Sequence, residues 1–302
     1  MTPRVSALIV TYNYGRFIAR AIESVFAQTF QDLEVIVVDD GSADETADVL
    51  RQFGDRIRVI RQERQGVSRA RNIAIEASRG EFVGFLDGDD WWQPTKIARQ
   101  VELLDRRPEL GCVGCGSELR TPDGRVQPLP GILNHGATRP DTLRRIALRR
   151  FRINGSTSGI LMRRSLLNRI GGFDEELGAA EDLDLWMRIA AATDVDNIPD
   201  VLLSVDRHGT GTFRDATFVE AQQWKVYHRA VSRWPDVLTR GDRRRMRAMI
   251  FADHARESRD PLAVLGYYAR SLAEWPFNSR CLREALIAWV RLPLGFFAGS
   301  AS

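Results

Sequence analysis

The sequence predicts an α/β fold: a mostly parallel sheet flanked by helices, followed by a helical C-terminal region. Three observations predict it. From Val5 to Leu86, short apolar runs alternate with segments of helical spacing. Leu33 to Val38 (LEVIVV) is apolar almost throughout, the pattern of a strand covered on both faces. Polar clusters follow three of the apolar runs: Thr11-Tyr12-Asn13, Asp39-Asp40-Gly41-Ser42 and Asp87-Gly88-Asp89-Asp90. Parallel units joined by right-handed crossovers bind ligands beyond the carboxyl ends of their strands, so these clusters are expected to converge on one edge.

The elements follow in order. Val5–Thr11 is a short apolar strand. Arg16–Gln28 places Phe17, Ile18, Ala21, Ile22 and Val25 on one helical stripe. After the LEVIVV strand, a helix over 44–53 takes Ser42 or Asp44 as its cap. Ile57–Ile60 is a strand, Gly66–Ser78 a helix and Glu81–Leu86 the next strand. Beyond them come a helix at Thr95–Arg106, a strand near Cys112–Leu119 and a turn at Thr121-Pro122-Asp123-Gly124. A helix over Asp141–Arg149, a strand at Ser156–Met162, a helix at Ser165–Ile170 and another starting near Ala180 complete this part. From about residue 215 the chain reads as helices: Phe218–Arg233, Arg240–Arg256, Pro261–Glu274 and Ser279–Leu292.

Bulk properties narrow the function. The 302 residues carry 43 Lys and Arg against 40 Asp and Glu, a net charge of +3, too mild for a nucleic-acid binder. Three cysteines exclude a disulfide scaffold and fit a reducing compartment. Cys112 and Cys115 form a CxxC within a predicted strand, where residues three apart face opposite ways, so inert buried thiols are expected rather than a metal site. The N-terminus enters a strand without a signal-peptide pattern, and no apolar run reaches the ~18 residues of a membrane span. These features predict a cytoplasmic protein.

The run Asp87-Gly88-Asp89-Asp90 packs three carboxylates at the mouth of an apolar strand. They repel one another and resist burial, which calls for a compensating cation. Carboxylate oxygens suit Mg2+ or Mn2+.

Three segments, taken together, resemble family 2 glycosyltransferases of the GT-A fold: ALIVTYNYGRFIARAIESVFAQTFQDLEVIVVDDGSADET (7–46), GVSRARNIAIEASRGEFVGFLDGDDWW (66–92) and SGILMRRSLLNRIGGFDEELGAAEDLDLWMRIA (158–190). The resemblance covers most of residues 5 to about 210. It implies a GT-A domain over 1–214, with a nucleotide-sugar half to about 110 and an acceptor half over 111–214, and a helical extension over 215–302. It implies inverting transfer of a sugar from a nucleoside diphosphate sugar, most simply a UDP-sugar, to a glycan or lipid-linked acceptor in polysaccharide synthesis. Asp40 would accept from the base, with Thr11, Tyr12 and Asn13 lining the nucleoside pocket and Tyr12 stacking. Arg71 or Arg69 would approach the base or diphosphate. Asp87, Gly88 and Asp89 form the DxD motif, which with Asp90 would hold ribose and the Mg2+ or Mn2+ ion. Asp182, beside Glu181, would be the catalytic base.

Several positions keep two readings. Glu181 and Asp182 either serve catalysis or favour a helix N-terminal dipole. Trp186, on the face of Asp182, stacks on an acceptor sugar or packs in the core. His208 reaches the metal or diphosphate, or is a loop histidine. The Arg-rich C-terminal helices, with Trp275, Phe277, Trp289, Phe296 and Phe297, either pack on one another or make a peripheral contact with the inner face of the plasma membrane. A sugar-nucleotide nucleotidyltransferase would place a Gly-rich basic loop after the first strand, where this chain has TYNYGRF; a non-catalytic nucleotide-sugar binder is the other alternative.

Overall fold

The computed structural model describes residues 2–134, 136–150, 156–208, 215–258 and 260–290. They belong to two compact units, Met1–Gly211 and Thr212–Ser302. The domain boundary expected at 214/215 adjoins residues 209–214, which lie outside the described residues, as do Phe296 and Phe297.

In the first unit the order is β1 (Val5–Thr11), α1 (Gly15–Phe26), β2 (Leu33–Asp39), α2 (Thr46–Arg51), β3 (Arg58–Arg61), α3 (Val67–Ala77), β4 (Phe82–Asp87) and β5 (Trp91–Trp92). Then come α4 (Lys96–Arg106), β6 (Leu110–Arg120), β7 (Val126–Leu129), α5 (Arg139–Ala147), β8 (Leu161–Arg163), α6 (Arg164–Ile170), α7 (Glu181–Ala192) and β9 (Asp194–Asp206). The sheet runs β3-β2-β1-β4-β8-β6-β9-β5, with β7 on the side of β6. Strands β3, β2, β1 and β4 are parallel, and β6 and β9 are parallel to each other. Strand β8 joins the two groups antiparallel to both.

The parallel half forms for the reason its pattern suggests. Every residue of β1 is buried, as are Val35 to Asp39 of β2. Helix α1 turns Ile18, Ala21, Ile22 and Val25 onto that sheet. Helix α2 is shorter than the predicted 44–53 segment, and the expected caps act otherwise. Asp44 accepts from the backbone N–H of Gly15 and of Thr46, and Ser42 Oγ accepts from the N–H of Asn13. Both side chains therefore bind the β1 and β2 loops together.

Strand β9, thirteen residues long, was not anticipated. Its register against β6 shifts near Cys115, Gly116 and Ser117, and the irregularity breaks the two-residue alternation that would have marked it. Gly116 sits at the shift, where a Cβ would come within 2.7 Å of the Asp200 carbonyl oxygen. Strand β5 consists only of the tandem tryptophans, paired with Leu203 and Ser204. Trp92 is buried and its indole N–H donates to the Ser158 carbonyl at 2.8 Å.

Cys112 and Cys115 are fully buried, and burial pushes their thiols up to about 12 and about 11, which keeps both inert as expected. Near them lies a buried lysine. Lys96 donates to Gln100 Oε1 at 2.9 Å and stands 4.1 Å over the Trp92 ring. Burial lowers its ammonium from 10.5 to about 8. Between those two values the unfolded chain keeps the Lys96 proton and the folded chain has released it. Stability therefore rises with pH across that window, by about 3 kcal/mol at most. Lys96→Met is expected to remove this rise, so in melts measured from pH 8 to pH 10 the wild-type melting temperature should gain on that of the variant as pH increases. Parallel curves would contradict the buried-ammonium account.

The second unit contains α8 (Ala216–Arg233), α9 (Arg240–Glu257), α10 (Pro261–Glu274) and α11 (Ser279–Val290). Their starts obey capping rules: Asp215 accepts from Thr217 and Phe218, Thr239 and Asp242 form a capping box, and Asp260 precedes Pro261. A small core joins Ala252, Ala255, Tyr268 and Cys281. The arginines are used within the unit. Arg247 is bidentate to Glu274, Arg244 donates to the Ala273 carbonyl, and Arg243 donates to the carbonyls of Leu238 and Pro235. Of the two readings left open for these helices, mutual packing is the one their contacts support. Among the described residues no helix is long and apolar enough to cross a membrane.

Candidate active site

The three strand-end clusters converge through short backbone links. Asp40 N–H donates to the Thr11 carbonyl, and Gly88 N–H donates to the Val10 carbonyl at 2.9 Å. Gly88 lies so close to β1 that a Cβ would be 2.9 Å from Thr11 Oγ1, so only glycine fits between the two aspartates. Thr11 Oγ1 is buried without a hydrogen-bond partner, an atom suited to a ligand hydroxyl. Asn13 adopts φ 55° and its side chain accepts from Ala43 N–H, so it fastens the β1 loop to the β2 loop.

Adjacent Asp39 and Asp40 divide their roles. Asp39 accepts from Ser42 N–H and turns the chain. Asp40 accepts from Gln62 Nε2 and the Gln65 N–H on one oxygen, and from the Gly66 N–H on the other at 2.8 Å. Its carboxylate is therefore held rigidly by the 62–66 loop. Tyr12 presents its ring to Arg64, whose guanidinium carbon lies 4.1 Å from the ring centroid.

Arg71 joins distant parts of the chain. It is buried and donates to Asp87 Oδ1 at 2.8 Å and to Glu181 Oε1 at 2.7 Å. Burial opposes its charge, but Asp87 and Glu181 outweigh burial and hold the guanidinium above its ordinary value. Arg69, two residues away on α3, pairs instead with Glu175 and Glu76. Of the two arginines, Arg71 is the one in the cluster.

The turn after β4 distributes its charge. Asp90 is 3% exposed, and its Oδ2 accepts from Ser158 at 2.6 Å and from Ser156 at 3.4 Å. Burial, then the charges of Asp87 and Asp89, push its carboxyl well above the ordinary range. Ser158 also accepts from the Asp87 N–H, so one hydroxyl holds both ends of the turn. This revises the expectation that Asp90 is a metal ligand: it is sealed against serines. Asp89 meets His208, Oδ2 to Nε2 at 2.9 Å, and burial followed by the Asp87 charge raises its carboxyl. His208 is thus no free loop residue; it also stacks on Phe17 at 4.4 Å.

Helix α7 begins after Ala180, which holds the left-handed conformation at φ 59°, an uncommon state for alanine. That turn sends Glu181 to Arg71 and leaves Asp182 accepting from the Leu183 N–H. Burial and then the Glu181 charge push the Asp182 carboxyl up to about 6. Trp186 is 6% exposed. The core alternative holds for it, and it offers no open ring to an acceptor.

Among the described residues no three His, Cys, Asp or Glu side chains converge as a ready-made metal cage. Asp89 and His208 are nevertheless adjacent, and Asp87 uses one oxygen for Arg71. Such a partial set fits a hard cation that takes its other oxygens from a bound phosphate. Sequence reasoning missed Arg20, Phe17 and Ser158 around this turn. The helical stripe of α1 could have flagged the first two, which are three residues apart on one face.

Residues 6–171 match the family described as Glycosyl transferase family 2, and residues 139–233 match Glycosyltransferase like family 2. The chain belongs to glycosyl transferase family 2. An uncharacterized glycosyltransferase from Nostoc sp. is 35% identical over 181 residues, which cover 57% of this chain and 54% of that one. The uncharacterized glycosyltransferase EpsJ of Bacillus subtilis is 35% identical over 188 residues, 60% of this chain and 54% of EpsJ. The chain thus spans about half the length of these two relatives. Among solved structures, S. aureus TarS 1–349 in complex with UDP-GlcNAc superposes with a TM-score of 0.64 at 18% identity, covering 94% of this chain and 92% of that one. The mannosyltransferase PcManGT from Pyrobaculum calidifontis, in complex with GDP-Man and Mn2+, gives 0.59 at 21% identity, covering 99% and 83%. These structures share the GT-A type fold.

Proposed function

We propose that this chain is an inverting glycosyltransferase that moves a sugar from a nucleoside diphosphate sugar, a UDP-sugar in the first instance, to a hydroxyl of a glycan or lipid-linked acceptor in polysaccharide synthesis. The observation that carries the reading is the Arg71 bridge, which brings Asp87 of the DxD turn and the Glu181-Asp182 pair into one cluster. The names of relatives and fold neighbours support the class: glycosyltransferases with UDP-GlcNAc or GDP-Man bound.

In this reading Asp40 takes the N3–H of the base. Its oxygens are preoriented by three donors, and Oδ2 has a lone pair left beside the Gly66 contact. Tyr12 lines the same pocket, and Thr11 Oγ1 meets a ligand hydroxyl. Asp89 and His208, with the second oxygen of Asp87, would hold Mg2+ or Mn2+. A divalent cation bound there offsets the charge that grows on the departing diphosphate. Asp182 takes the proton from the acceptor hydroxyl as that oxygen attacks the anomeric carbon opposite the diphosphate, and a carboxyl near 6 is ionised at neutral pH yet basic enough to do so.

A thermal-shift screen of UDP-, GDP- and dTDP-sugars with and without Mn2+ tests the donor assignment. A uridine diphosphate sugar is expected to stabilise the protein most, and Mn2+ to enlarge its shift, because stabilisation follows affinity through mass action. Equal shifts for every nucleotide would refute the role given to Asp40.

A further inference from the structure

The turn that carries Asp89 and the end of β9 before His208 are held together by one face of α1. Arg20 Nη2 donates to the Asp89 carbonyl at 3.1 Å and to Asp206 Oδ2 at 2.8 Å. The first bond grips the DxD turn, and the second grips the end of β9, two residues before His208. The same guanidinium lies 3.7 Å over the ring of Trp91, which follows the turn directly. One turn of helix earlier, Phe17 stacks on the His208 imidazole at 4.4 Å with an interplanar angle of 23°, and Tyr14 meets that ring edge-on. The result is that Asp89 Oδ2 and His208 Nε2, 119 residues apart in sequence, stand 2.9 Å from each other.

Two separate connections thus reach the same pair. Arg20 fixes the backbone that carries Asp89, and Phe17 fixes the plane of the imidazole. Neither side chain supplies a donor atom toward a cation. A planar, fixed-fork guanidinium suits the Arg20 position because it must bond a carbonyl and a carboxylate while lying flat on an indole. An ammonium could satisfy the charge but not the stacked, two-way geometry.

We infer that Phe17 and Arg20 form a latch on α1 that positions Asp89 and His208 for a divalent cation bound with a nucleoside diphosphate, Arg20 being the main positioning residue. The inference rests on the proposed function and adds to it the residues that set metal affinity without touching the metal. Supporting contacts of this kind change metal affinity by about 10- to 100-fold when removed.

The test measures the binding of UDP and GDP by calorimetry with and without Mn2+, for wild type, Arg20→Met, Arg20→Lys and Phe17→Leu. The nucleotide that wild type binds more tightly is used throughout, and Mn2+ occupancy in its presence is followed by electron paramagnetic resonance. The Mn2+-dependent gain in nucleotide affinity is expected to fall about tenfold or more in Arg20→Met and less in Arg20→Lys, with Phe17→Leu also reduced. Circular dichroism melts identify any variant that fails to fold, and the milder Arg20→Lys then carries the comparison. A metal-responsive wild type with equally responsive variants overturns the latch alone. A wild type whose nucleotide affinity ignores Mn2+ overturns the metal reading and the latch with it, and one that binds neither nucleotide overturns the proposed function itself.

Discussion

Asp182→Asn is expected to lower sugar transfer about a thousandfold while leaving nucleotide binding within about twofold of wild type. The substitution keeps the side-chain oxygen that accepts from the Leu183 N–H but removes the basic lone pair. The wild-type rate should fall as pH drops through about 6, because protonation of the carboxyl then removes the base. The stability effect has the opposite sense. A carboxyl raised above its ordinary 3.8 contributes most to stability where it is protonated, and that contribution is lost as pH rises through about 6. At pH 7.5 Asp182→Asn should therefore melt higher than wild type, by roughly 1–2 kcal/mol of stability, the familiar opposition between activity and stability. Turnover within tenfold of wild type would remove Asp182 from the mechanism. Parallel loss of nucleotide binding would move it to the donor side.

Arg71→Met should be the most destabilising single change in the site. It leaves Asp87 and Glu181 facing each other without their shared cation, and breaking a buried pair in this way costs about 3–5 kcal/mol. For a unit of this size the cost corresponds to a fall in melting temperature of roughly 6–20 °C. The coupling can be isolated. Glu181→Gln in the Arg71→Met background removes one of the stranded charges and should return part of the loss, whereas Glu181→Gln alone should destabilise. A melting temperature within ~2 °C of wild type for Arg71→Met would show the bridge to be energetically idle.

The parallel half of the fold was legible because β1, β2 and β4 are buried over most of their length and α1 carries a clean apolar stripe. Strand β9 was not, since Pro199, several aspartates and the register shift at Gly116 hide its alternation. At the site, sequence order indicated which carboxylates gather but not which partner each one takes. Asp90 reads like its neighbours in the motif, and only the fold brings Ser158 against it. Arg71 and Arg69 looked equivalent, although helical spacing puts Arg71 with Ser68, Ala70 and Ala74 on the buried side of α3. Trp186 had two readings that only burial could separate.

The division of labour among the three aspartates has a consequence for the order of events. One gives a single oxygen to Arg71 and keeps the other, one is closed off by Ser158, and Asp89 stands beside an imidazole. On the proposed chemistry, a lone ion arriving from bulk solution would find too few oxygens to stay. Cation and pyrophosphate group would then dock as a single chelate, so the supply of activated sugar, rather than ambient divalent salt, would govern how often the enzyme is armed.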